Sequence, residues 1–317
     1  MYDVVALGEI LIDFTPAGLS ENGNPLFEAN PGGAPANVLA CLAKLGRKTA
    51  FLGKVGADEF GRLLREVLAS RGISTHGLVL EEAAQTTLAF VHLHEDGDRS
   101  FSFYRSPGAD TLLRPEEVDR AQLTASIFHF GSLSLTHEPA RSATLAALHW
   151  AKERGALISY DPNLRPPLWS SLAEAKRQIL AVMDQADIVK ISREELEFLT
   201  GSDSLAQGSA QLVREYGTSL LLVTLGKDGC FFRLGDLTGL VPGFPVQAVD
   251  ATGAGDGFLG GMLHEILRRG KALEEWSLEE LEESVRFANA IGALVVTRKG
   301  GIPAMPSLAE VQSFLAR

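Results

Sequence analysis

Cysteine is scarce: Cys41 and Cys230 are the only two among 317 residues. Two thiols build no disulfide framework. Both lie in apolar surroundings, Val-Leu-Ala-Cys-Leu and Gly-Cys-Phe-Phe, and read as buried free thiols of a reducing compartment. Positive charge is also short, with 29 Lys and Arg against 40 Asp and Glu and a formal net charge of −11. That balance argues against a nucleic-acid partner, which needs clustered cations. It leaves a nucleotide open, because a local nest of backbone amides can hold phosphate. No apolar run approaches a membrane span. Asp3, Glu9 and Asp13 interrupt the N-terminal stretch and no basic segment precedes it, so it does not read as a signal peptide. The expectation is a cytoplasmic protein with no membrane partner. The chain also lacks a Walker A sequence, a repeat and a low-complexity linker.

The chain is 45% apolar, ample for the core of a single α/β domain over residues 1–317. Strand-like runs at 3–8, 50–55, 127–130, 156–160, 186–191 and 219–224 alternate with helical patterns at 34–45, 59–71, 138–154, 170–183, 193–200 and 204–216. This rhythm predicts a mainly parallel sheet with helices on both faces, and ligands beyond the C-terminal ends of its strands. Residues 86–94 and 99–105 break the rhythm, being rich in Thr, Val, Phe and Tyr. Glu95-Asp96-Gly97-Asp98 between them predicts a hairpin turn. Segments of about 11–31 and 86–106 are therefore expected to form a small inserted antiparallel β-sheet.

The most informative stretch is Asp250-Ala-Thr-Gly-Ala-Gly-Asp-Gly257, followed at once by an apolar helical pattern. Amides of such a turn gather anionic oxygen. Asp256 would stand beside that anion, where only a reaction needing a proton acceptor has use for it. Gly255-Asp-Gly-Phe-Leu-Gly260 also matches the dinucleotide fingerprint G-x-G-x-x-G, after a strand-like run at 246–249 and ahead of Glu274 and Glu275. That reading fails because helical segments follow rather than a strand. Asp256 would also face the pyrophosphate, and like charges 4 Å apart repel by roughly 4 kcal/mol at an effective dielectric near 20. Close helix packing accounts for Gly260 and Gly261, but not for Asp250, Thr252 and Asp256 around the turn.

Asp-x-x-Gly-Ala-Gly-Asp at 250–256 resembles the C-terminal signature of the ribokinase-like (PfkB) sugar kinases, and the resemblance spans essentially the whole chain. It implies a three-layer ribokinase-like α/β fold with a small β-sheet lid. It also implies Asp256 as catalytic base, and the amides of Gly253, Ala254 and Gly255 as an anion hole for the γ-phosphate. Gly8-Glu-Ile-Leu-Ile-Asp13 and Pro31-Gly-Gly-Ala-Pro-Ala-Asn37 resemble the family's sugar-binding motifs. Asp13 can accept two hydroxyls, Asn37 can donate and accept, and Gly32 and Gly33 let main chain approach a ring. Ser102–Leu113 and Asp161–Trp169 narrow the likeness to fructokinases, with Arg105 and Arg165 as donors to substrate oxygens. An arginine pair also suits a carboxylate, so 2-keto-3-deoxygluconate kinase is the alternative. A sugar-binding regulator without chemistry is a third reading, disfavoured by the intact Asp256 turn.

On the nucleotide side, Thr224-Leu-Gly226-Lys-Asp-Gly229 and Asn289 resemble the family's ATP-facing turn and adenine-pocket helix. A plain hairpin connection and a core helix are the rival readings. Ser192-Arg-Glu-Glu195 corresponds to the family's Asn-x-x-Glu motif with Ser in place of Asn. Glu195 would act near Mg²⁺ through water, or serve only as a capping-box residue. Mg²⁺ is implied by ATP itself. The resemblance further implies a monovalent cation, K⁺, between Asp250, Thr252 and carbonyls of 295–301, although Ala304 stands where ribokinases carry a Ser ligand. Lid strands have edges to cover, and family members pair their lids, so a homodimer is expected.

Overall fold

The computed structural model describes residues 1–93 and 99–316. Thirteen strands are present among them: β1 (Tyr2–Leu7), β2 (Leu11–Leu19), β3 (Pro25–Gly32), β4 (Thr49–Gly56), β5 (Ser74–Glu81), β6 (Leu88–Leu93), β7 (Arg99–Tyr104), β8 (Ala125–Gly131), β9 (Leu157–Asp161), β10 (Ile188–Ser192), β11 (Leu220–Thr224), β12 (Cys230–Leu234) and β13 (Leu237–Val241). The α-helices are α1 (Ala34–Lys44), α2 (Glu59–Ser70), α3 (Ala140–Glu153), α4 (Leu172–Leu180), α5 (Arg193–Thr200), α6 (Leu205–Tyr216), α7 (Ala254–Arg269), α8 (Leu278–Val296) and α9 (Leu308–Leu315). None of these is long and apolar enough to cross a membrane.

Nine strands form the main sheet in the order β13-β12-β11-β10-β9-β8-β1-β4-β5, parallel from β11 to β5. The hairpin β12–β13 continues it antiparallel, so the sheet is mixed at one edge. The chain winds outward from β1 through β4 to β5, then returns to β8 on the other side of β1. This reversal opens a crevice at the C-terminal ends of β1 and β8.

Strand side chains alternate between two cores. Val4, Ala6, Phe51, Leu220 and Leu222 pack with α1, α7 and α8. Val5, Leu7, Leu52, Leu221 and Val223 pack with α3 to α6 on the opposite face. Three layers result, as the strand-helix rhythm predicts. The same alternation puts His129, Ser159, Asp161 and Lys190 on the α7 face, because Phe128, Phe130, Ile158, Tyr160, Val189 and Ile191 occupy the other.

A second, four-stranded sheet runs in the order β3-β2-β6-β7 and is mixed rather than antiparallel throughout: β2–β3 and β6–β7 are antiparallel hairpins, but β2 and β6 come from distant segments and pair in parallel. Phe14, Phe90, Phe27 and Tyr104 stack edge or face along it. The hairpin turn read at 95–98 lies outside the described residues. The run at 246–249 is not a strand. Among the described residues it pairs with no strand; it is mostly exposed, and Val249 N–H donates to the Val296 carbonyl.

Candidate active site

The 250–257 turn owes its shape to local bonds. Asp250 Oδ1 accepts from the Thr252 backbone N–H (3.0 Å) and hydroxyl (2.7 Å), while Oδ2 accepts from Gly300 N–H (2.9 Å). Gly253 then takes φ 77°, and a β-carbon there would stand 3.0 Å from Gly301 Cα. α7 starts on the next residue, so the first amides of a 16-residue helix point out of the turn. Asp256 sits in that first turn and is buried. Its Oδ2 accepts from Asn37 Nδ2 of α1 at 2.8 Å.

Two cavities meet at this point. The smaller, about 290 Å³, is lined by Asp13, Gly33, Asn37, Arg165, Thr252, Gly253, Gly255 and Asp256, together with Glu9, Asn163 and Lys190. Val91 and Phe103 of the small sheet also line it. The larger, about 670 Å³, is lined by Thr224, Gly226, Gly229, Ala254, Gly255 and Asn289, with apolar Phe244, Pro245, Phe258, Ala293 and Val296. Ala251 and Gly255 belong to both walls. Gly33 has φ 112° and a β-carbon there would meet the Glu9 carbonyl at 2.5 Å, so only glycine lets this strand-helix corner close. Asn163, at φ 46°, is the only non-glycine residue with positive φ among the described residues.

The electrostatics are dominated by carboxyls held out of water. Burial pushes Asp13 up to about 7, opposed by Arg165 and reinforced by Asp250 and Asp256. Burial likewise raises Asp256 to about 6; Asp161 adds to this, and Lys190, Asn37 and Arg165 oppose it. Lys190 answers this charge. Its Nζ lies 2.8 Å from Asp161 Oδ2 and 3.0 Å from where a Gly255 β-carbon would be. Burial works to lower the Lys190 ammonium, but Asp161, Glu195 and Asp256 outweigh it and hold it above its ordinary value. Asp161 Oδ1 is buried without a hydrogen-bond partner.

Four residues singled out in the sequence do not line either cavity. Gly32 packs under the Asp13 carboxylate. Asp250 braces the turn. Arg105 is the instructive case: Nε and Nη2 bond Asp110 Oδ2 (2.8 and 2.6 Å), Nη1 donates to Thr136 Oγ1 (2.9 Å), and Nη2 also reaches the Leu133 carbonyl (3.0 Å). Its guanidinium is spent on the protein. Glu195 accepts from Ser192 N–H and Leu164 N–H, both at 2.7 Å, and Ser192 Oγ caps α5 in return. The capping box therefore also fixes the loop after β9. Asn289 Nδ2 donates to the Val241 and Pro242 carbonyls (3.0 and 3.2 Å), shaping the larger cavity.

Sequence reasoning missed Lys190 and Glu9 as cavity-lining residues. The signal for Lys190 was a lone cation inside the strand run Ile-Val-Lys-Ile-Ser, at the position facing α7.

A proton acceptor beside outward-pointing amides, between a polar cavity and a larger apolar one, can pass a phosphoryl group from a nucleotide to a hydroxyl. Fold and site together define a ribokinase-like phosphotransferase with an alcohol group as acceptor. The profile of pfkB family carbohydrate kinases matches residues 1–308. The chain is 49% identical to fructokinase-1 of Zea mays, over 99% of this chain and 98% of that one. Among solved structures it is similar to the fructokinase of Xylella fastidiosa with bound ATP, at TM-score 0.90 and 36% identity, covering 100% of this chain and 99% of that chain. It is also similar to a double mutant of the Vibrio cholerae O395 fructokinase in fructose, ADP and potassium ion bound form. There the TM-score is 0.88 and identity 34%, covering 99% of this chain and 98% of that chain. The chain belongs to the PfkB family of carbohydrate kinases.

Proposed function

We propose that the chain is an ATP-dependent fructokinase that phosphorylates D-fructose at the 6-hydroxyl, giving fructose 6-phosphate and ADP. The observation that carries this reading is the position of Asp256, in the sugar-sized cavity and at the helix start whose turn borders the nucleotide-sized one. The similar fructokinase structures hold ATP in one case, and fructose with ADP in the other.

Fructose lies in the smaller cavity, with Asp13, the Gly33 main chain, Asn37 and Arg165 on its hydroxyls. The 6-hydroxyl faces Asp256. Near pH 7 a group with a pKa of about 6 is largely ionised, yet close enough to neutrality to accept a proton as the oxygen bonds to phosphorus. ATP occupies the larger cavity, with its base among Phe244, Phe258 and Val296 and its phosphates toward Gly255. Amides of Gly253, Ala254 and Gly255 and the Lys190 ammonium receive the charge that spreads over the transferred group.

Outward amides and a buried cation fit a triphosphate. No cluster of three or more His, Cys, Asp or Glu able to hold a metal alone exists among the described residues. The buried carboxyls of Asp161, whose Oδ1 has no hydrogen-bond partner, and Glu195 fit Mg²⁺, which binds phosphates and water and needs few protein ligands. When bound, Mg²⁺ would neutralise phosphate charge, and Glu195 and Asp161 would help to hold it. K⁺ would be held at the Asp250–Thr252 bracket, against the loop after α8.

Arg165 is the only arginine lining the smaller cavity among the described residues. A carboxylate-bearing sugar would favour a pair, so fructose is preferred to 2-keto-3-deoxygluconate. A homodimer through the small sheet would cover exposed Leu19, Leu26, Phe27 and Tyr104. The cytoplasm suits the two buried free thiols.

The test is ADP release with fructose, 2-keto-3-deoxygluconate, ribose, mannose and adenosine, with and without K⁺. Fructose should give the highest kcat/KM. A higher value for the keto-acid sugar would replace this reading.

A further inference from the structure

The residue left without a role in this scheme is Glu9, an acid buried at the cavity wall. It lies two residues past the end of β1, where the crevice of the main sheet opens, and is 4% exposed. Its Oε1 accepts from Ala34 N–H at 3.0 Å, tying the carboxyl to the first residue of α1. Oε2 is buried and has no hydrogen-bond partner. An orphaned buried carboxyl oxygen is costly and calls for a ligand.

None of the described residues supplies one. Arg105, the nearby cation, is committed to Asp110, Thr136 and the Leu133 carbonyl. Asp110 is further occupied by the Thr87 hydroxyl at 2.5 Å. Glu9 thus stands in front of a closed polar network and on the wall of the cavity assigned to the sugar. Burial lifts its carboxyl to about 7; the Glu9 and Ala34 backbone N–H groups and Arg105 oppose this, and Asp110 adds to it.

The geometry also says which hydroxyl is in question. Ala34, which holds Oε1, and Asn37, which holds Asp256, are three residues apart on α1. That is a rise of about 4.5 Å. Glu9 and Asp256 are therefore anchored at different points of α1 and enter the cavity wall separately.

We infer that Glu9 is a specificity-determining sugar-binding residue, whose Oε2 accepts a hydrogen bond from a fructose hydroxyl other than the one phosphorylated. The inference rests on the fructokinase reading.

Glu9→Gln is the direct test. Its oxygen stays with Ala34, and its amide cannot accept at the Oε2 position. The fructose KM should rise about tenfold or more, with kcat, the ATP KM and the melting temperature nearly unchanged. With a series of monodeoxyfructoses, wild type should be penalised strongly for one missing hydroxyl, and Glu9→Gln much less for that same one. Glu9→Asp, with the carboxyl withdrawn by one methylene, should raise the fructose KM similarly and stands in if Glu9→Gln does not fold. A fructose KM within twofold of wild type in a folded variant overturns the inference. So does an equal loss for every sugar and for ATP, or failure of both variants to fold, each of which makes Glu9 a scaffold residue. If wild type does not turn over fructose, the fructokinase reading fails instead. Glu9 is then tested on whichever sugar of the panel is turned over.

Discussion

Asn37 Nδ2 donates to Asp256 Oδ2 at 2.8 Å, joining residues 219 positions apart in the chain. The bond holds the carboxylate between α1 and α7 and leaves the other Asp256 oxygen for a substrate hydroxyl. Asp256→Asn keeps the size and can keep this contact, but accepts no proton. Its kcat should fall about 10³-fold, with the fructose KM changed only a few-fold. Steady-state kinetics decides; a kcat near wild type would remove Asp256 as the base.

Acidity should follow the same pair. With Asp256 at about 6 and Asp13 at about 7, kcat/KM should drop as pH falls from 8 to 5, with apparent values belonging to the coupled cavity. The Asn37 bond lowers the Asp256 value. Asn37→Ala should therefore shift the acid limb to higher pH. A pH–rate profile flat down to pH 5 would contradict the assignment.

Stability should run the other way. Asp13 is pushed up on folding from an ordinary value near 4. Its neutral form is favoured in the folded chain, so its contribution is full below that ordinary value and is lost as pH rises through about 7. Asp13→Asn should raise the melting temperature of the sugar-free protein more at pH 8 than at pH 5, while weakening fructose binding. Thermal scans at the two pH values test this.

The two arginines should separate cleanly. Arg105→Ala leaves the Asp110 carboxylate buried without its cation and should destabilise the fold by about 3–5 kcal/mol. The double variant with Asp110→Ala should recover part of that loss. Arg165→Ala should keep the melting temperature and raise the fructose KM. Denaturation and kinetics on all three variants test the contrast, and a fructose KM unchanged in Arg165→Ala would exclude it from the site.

Lys190→Met should lower kcat about 10²-fold or more, in line with loss of one group that stabilises transition-state charge. A purely structural Lys190 would cost melting temperature and leave kcat per folded molecule intact.

Much of this was readable from local sequence, and the reason is physical. The Asp256 turn, Gly33 and α1 are set by near neighbours: a bracket from Asp250 to Thr252, a positive φ, a proline at a helix start. The strands showed through their apolar runs, and α7 through its stripe from Phe258 to Ile266. What stayed hidden depends on pairing across the fold. Arg105 looks like a free donor until Asp110 folds back onto it. Lys190 gains meaning only when β10 lies beside β9 and puts it next to Asp161. Glu195 fits a capping box from sequence, but its second bond, to Leu164 N–H, is tertiary. The run at 246–249 has the residues of a strand and no neighbour to pair with.

The walls of the two cavities also come from different stretches of chain. Apart from the 250–256 turn, residues 9 to 190 line the smaller cavity, proposed for the acceptor, and residues from 224 onward line the larger one, proposed for the donor. Descendants of this chain can therefore exchange one sugar for another by changes confined to the front stretch. The donor half, and the turn that does the chemistry, would be inherited untouched. A crossover between residues 190 and 224 would graft the acceptor taste of one relative onto the engine of another.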